Sequence, residues 1–164
     1  MKKFLVTLVL LSLAAAQVQP VDRSSVGVNI SATVVDNIEM FTLNGIDVGT
    51  IQPSQLLVRL DPRLEQGAGT VKFQGRANSL IRVTYTQQVV MVNSITNHSL
   101  TVLYNLSGNP NFEQSASIPI TENPITVSLS NMGEYYIWIG CFFSLDGITT
   151  GQYDGDFVIE VEYN

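Results

Sequence analysis

The chain holds one cysteine and one histidine, Cys141 and His98. A cysteine nucleophile needs a base within hydrogen-bond reach. Here the two lie forty-three positions apart, with His98 among loop-forming residues, and suggest no dyad. Cys141 stands in the run Tyr135-Tyr136-Ile137-Trp138-Ile139-Gly140-Cys141-Phe142-Phe143, where a free thiol reads as a small buried hydrophobe; the other reading is a reactive thiol or an intermolecular bridge. Asp146, Asp154 and Asp156 gather around a glycine-containing loop. Such oxygens can hold calcium, but the spacing matches no Asp-x-Asp-x-Asp-Gly series and also serves as turn chemistry. Glycoside hydrolysis needs two carboxylates across a cleft, and scattered acids carry no such signal. Ser24 and Ser25 belong to no Gly-x-Ser-x-Gly elbow. Catalytic, metal and cofactor residues are all read as none. Tyr135, Tyr136 and Trp138 suggest a different chemistry, stacking on sugar rings. Alternation puts Tyr136 and Trp138 on one face and Tyr135, Ile137 and Ile139 on the other, so core packing accounts for only one of them.

The elements that would position these residues are strands. In residues 151–164, Phe157, Ile159, Val161 and Tyr163 fall on one face, and Val158, Glu160 and Glu162 on the other. That is a half-buried strand, with Tyr153 and the four one-face residues as core anchors and Gly151 and Gly155 bracketing its launching turn. Val26, Val28, Ile30, Ala32 and Val34 repeat the pattern near the start and are the strand-pairing or interface candidates. Further strands are expected over 46–51, 56–60, 70–76 (Gly75 hinting at a bulge), 80–86, 99–105, 118–120, 125–129 and 134–143. Residues 107–115 read as a polar loop. No helical stripe competes. Many short strands punctuated by Gly, Pro and Asn predict an all-β, Ig-like antiparallel β-sandwich.

The first residues predict export. Met1-Lys2-Lys3 is a basic start, residues 4–13 are almost wholly apolar, and Ala14-Ala15-Ala16 supplies small residues for cleavage. The expected organisation is a signal peptide over 1–16, a flexible leader over 17–25 and one sandwich over 26–164. Without Lys2 and Lys3, six basic side chains face fourteen acidic ones, a net charge of about −8. Unclustered bases on an acidic chain exclude a nucleic-acid surface, and the mature chain is read without a membrane anchor. The expected location is secreted, periplasmic or cell-surface.

The landmarks Ala32-Thr33-Val34-Val35, Gly49-Thr50-Ile51, Gly69-Thr70-Val71-Lys72-Phe73, Gly151-Gln152-Tyr153-Asp154-Gly155-Asp156-Phe157 and Val161-Glu162-Tyr163-Asn164 follow one another in order. The chain resembles a family of small secreted bacterial domains of unknown function, in turn similar to spore-coat-U-like pilin subunits of archaic chaperone–usher systems. The resemblance spans nearly the whole mature chain, and its most specific part is the Gly-x-Tyr-x-Gly-x-Phe segment. It implies an Ig-like sandwich on the surface or in a fibre, with no catalytic residues to carry over. The chain departs from those subunits in lacking their frequent cysteine pair.

Two functions are expected in order. The first is an exported, non-enzymatic surface or fibre protein acting through strand pairing, by self-association or by a donor or acceptor strand of a partner subunit. The second is a secreted module binding carbohydrate or protein on an aromatic face.

Overall fold

The computed structural model describes the backbone of 26–31 and residues 38–51 and 55–164. The signal peptide, the leader, Ala32 and Val34 lie outside the described residues. The strands, in chain order, are β1 (Val26–Ser31), β2 (Glu39–Asn44), β3 (Leu57–Leu60), β4 (Gly69–Gln74), β5 (Leu80–Tyr85), β6 (Gln88–Val92), β7 (Ser99–Asn109), β8 (Ile118–Ile120), β9 (Ile125–Ser128), β10 (Glu134–Ser144) and β11 (Tyr153–Tyr163). A single 3-10 turn, Gln114–Ala116, interrupts them among the described residues.

The fold is an all-β sandwich of antiparallel strands with one parallel pair among the described residues. Hydrogen bonds join the strands in the order β2-β4-β10-β7-β6-β11-β5-β9. β3 extends the β4 side of β10, β8 lies beside β7, and β1 runs parallel to β11. β5 and β6 follow one another along β11: β5 pairs with its last residues, and β6 bridges to it at Asp154. β11 therefore ties both halves of the sandwich together.

Alternation builds the core. β5 buries Ile81, Val83 and Tyr85, and β7 buries Leu100, Val102 and Tyr104, each against solvent-facing neighbours. These join Phe73, Ile137, Phe143, Phe157 and Ile159 in one cluster.

Four local readings are corrected. Residues 88–92 form a strand that alternation did not suggest. β7 runs on through Ser107, Gly108 and Asn109, where a loop was expected. No strand forms over 46–51; Ile46, Val48 and Ile51 pack on the core without a ladder, while the Asp47 N–H bonds to Gly67 O at 2.8 Å. Gly155 lies inside β11 rather than in the turn before it. Its missing side chain has a reason: a Cβ there would stand 2.8 Å from both Met91 Cγ and Val89 Cγ1 of β6.

Candidate functional site

β11 presents one buried and one wet edge of side chains. Tyr153, Phe157, Ile159 and Val161 are buried, Tyr163 is half-buried, and Asp154, Glu160 and Glu162 are exposed. The Phe157 ring packs 4.6 Å from that of Tyr104. Tyr153 donates its hydroxyl to Thr149 O at 2.9 Å, which pins the start of the strand. At the other end the Tyr163 hydroxyl accepts the Arg76 N–H at 2.8 Å, with the Arg76 guanidinium 4.4 Å from the ring centre.

β1 lies along this strand in parallel register, Val26 opposite Tyr153, Val28 opposite Gly155 and Ile30 opposite Phe157. Among the described residues β1 pairs with β11 alone, and the path from β2 to β9 is complete without it. Its pairing ends at Ser31 opposite Val158.

The second candidate lies on the outer side of β10, away from the main core. Tyr135, Ile137 and Ile139 join the main core, whereas Tyr136 and Trp138 form a separate cluster with Ala68. From Tyr135 to Cys141 β10 is thus buried on both faces, and Trp138 is only 2% exposed. The covering group is Phe112, whose ring lies 5.1 Å from Tyr136 and stacks at 27° and 6.0 Å on Trp138. Its loop is held in place: the Asn111 N–H bonds to Asn109 Oδ1 at 2.9 Å, and Gln114 Nε2 donates to Pro62 O and Glu65 O at 2.9 Å each. Behind it, Ser117 Oγ donates to Ser107 Oγ at 2.8 Å, satisfying a polar position buried in β7.

Beside this cluster, Lys72 Nζ meets Glu134 Oε1 at 2.7 Å, and the Tyr136 hydroxyl donates to Glu134 Oε2 at 2.9 Å. The bond from Lys72, then that from Tyr136, holds the Glu134 carboxyl below its ordinary range. The same Glu134 bond raises the Lys72 ammonium. Burial, then its bond to Glu134, raises the Tyr136 phenol. Lys72 Nζ also stands 5.9 Å from the centre of the Phe41 ring. The sequence singled out Tyr136 and Trp138 but not Phe112, which arrives from a loop read as merely polar.

The remaining candidates do not converge. Cys141 is a free, buried thiol paired across the sheet with Tyr104 and Leu60. Burial, and secondarily the charge of Glu65, pushes its thiol up to about 11. His98 is exposed in a turn where its carbonyl accepts the Asn93 N–H. Asp154 accepts a bond from Gln152 Nε2 at 2.9 Å. Among the described residues no group of three His, Cys, Asp or Glu side chains could hold a metal ion. Compared with protein-family models and with curated proteins, the chain matches none.

Proposed function

We propose that this chain is an exported, non-enzymatic surface or fibre protein that works through strand pairing. The observation that carries the reading is β1, a strand bonded only to β11 among the described residues and dispensable to the hydrogen-bonded path of the body. Strand addition of this kind draws affinity from main-chain bonds and specificity from alternate side chains. Val26, Val28 and Ile30 occupy alternate register positions opposite Tyr153, Gly155 and Phe157, so a strand from another copy or from a partner subunit could take the same place. The resemblance of residues 151–157 to a family of small secreted bacterial domains, in turn similar to pilin subunits, leans the same way.

The test is deletion of residues 17–35. The proposal expects a domain that keeps its fold, takes up an added peptide of residues 26–35, and loses only polymerisation. Loss of the fold on deletion would make β1 the first strand of its own domain and overturn the reading.

A binding-module function is the second reading. The observation favouring it is Phe112, a large apolar ring held in place yet 66% exposed.

A further inference from the structure

The outer face around β2, β4 and β10 combines two exposed aromatic rings with a fixed polar pair between them. Phe112 stacks on Trp138, lies tilted against Tyr136 and is 66% exposed. Phe41 is 44% exposed on the edge strand β2. Register places Phe41 opposite Lys72, and Lys72 opposite Tyr136. Phe41 thus stands two strand spacings, about 10 Å, from the residue that Phe112 overlies. That backbone separation is within the span of a short oligosaccharide.

We propose that this face binds a neutral glycan chain lying across β2, β4 and β10, with Phe112 and Phe41 each stacking on a sugar ring. The proposal deepens the binding-module reading and is independent of strand addition at β11. Three features select a sugar. Apolar ring faces flanked by polar groups match the alternation of C–H faces and hydroxyl edges in a pyranose. Lys72 Nζ has donors beyond the one used on Glu134, and the carboxylate has lone pairs left for hydroxyls. The Phe112 loop and the Lys72–Glu134 pair are already held in place, so little of their ordering cost falls on binding. Charge favours a neutral over an anionic glycan: the chain carries −6, and the Lys72 ammonium in the face is already paired with Glu134. An anionic polymer would be repelled.

Trp138 is the protein's only tryptophan and lies under Phe112. Its emission therefore reports on occupancy. The full chain is titrated with chitohexaose, cellohexaose, xylohexaose and mannohexaose, and affinity electrophoresis in the matching polysaccharides serves as a second readout. The expected result is a saturable emission change with at least one neutral oligosaccharide, weakened roughly tenfold in Phe112→Ala and in Phe41→Ala. Phe41→Ala, an exposed position, should leave the thermal melt unchanged and so guards against unfolding as the cause. Absence of any response or retardation across the panel overturns the proposal, as does undiminished binding by the Phe41→Ala variant. If no sugar binds and Phe41→Ala instead reduces self-association, the face is a contact between copies and the proposal falls, leaving strand addition untouched.

Discussion

The side chain of Asn123 is hydrogen-bonded to both backbone groups of Tyr85: its Nδ2 donates to Tyr85 O at 2.6 Å and its Oδ1 accepts the Tyr85 N–H at 3.1 Å. β9 pairs with β5 only as far as Ile125 opposite Val83. The amide of Asn123 therefore continues the ladder where the backbone of β9 has turned away. A primary amide is suited to this, having a donor and an acceptor side by side.

Asn123→Ala should leave both Tyr85 groups without these partners. The expected loss is about 1–3 kcal/mol, the range for stranding a partly buried polar group. Asn123→Asp should not restore it, because an ionised carboxylate can accept from Tyr85 N–H but cannot donate to Tyr85 O. Urea unfolding of the three proteins measures this. Equal stability of Asn123→Asp and the parent would mean that the donated bond contributes nothing.

The strands most legible in the sequence were those with one wet face. β5 and β11 alternate cleanly because their outward residues are charged or polar, as with Arg82, Thr84, Glu160 and Glu162. β6 escaped because Val90 and Val92 are apolar yet exposed, so Val89, Met91 and their neighbours form an unbroken run with no period. The end of β7 escaped for the opposite reason. Ser107 is polar but buried, satisfied by Ser117 ten residues on, and Gly108 is forced by Tyr135, whose ring carbons would lie 2.7–2.9 Å from an added Cβ. Both depend on contacts distant in sequence. The aromatic face was half visible: alternation separated Tyr136 and Trp138 from Tyr135, while nothing local in 107–115 announced that Phe112 would lie over them.

Phe157→Ala tests whether β11 is anchored through its buried face. The ring is fully buried and packs on Tyr104. Removing it should cost about 3–5 kcal/mol. A loss below about 1 kcal/mol, typical of surface sites, would show that the neighbouring side chains collapse into the space or that the ring is not packed as described.

Cys141 should be inert in the native protein. Its thiol is buried, and with its ionisation pushed up to about 11 only roughly one in a thousand is thiolate at pH 8. Ellman's reagent at pH 8 should react stoichiometrically after denaturation and negligibly before it. Reductant should leave the melting temperature unchanged. Rapid modification of the native protein would place the thiol at the surface and reopen an intermolecular bridge.

The Lys72–Glu134–Tyr136 cluster should give the protein a window of pH in which it is most stable. Glu134 titrates below its ordinary 4.5 in the fold, chiefly because Lys72 bonds to it. As pH falls, the unfolded chain takes up this proton first. The contribution is thus complete above about 4.5 and lost as pH falls through the lower folded value. Lys72 behaves in the opposite sense. Its ammonium is raised above 10.5 by the same bond, so its contribution is complete below 10.5 and lost as pH rises through the folded value. Glu134→Gln removes the carboxylate that both shifts depend on. The parent should melt above this variant by a margin that is widest near neutral pH and narrows toward both extremes, and added salt should reduce the margin because the pair is partly exposed. Melting curves for both proteins between pH 3 and pH 11 decide the matter: a margin constant over that range would show that the pair contributes packing or hydrogen bonding but no charge-dependent stability.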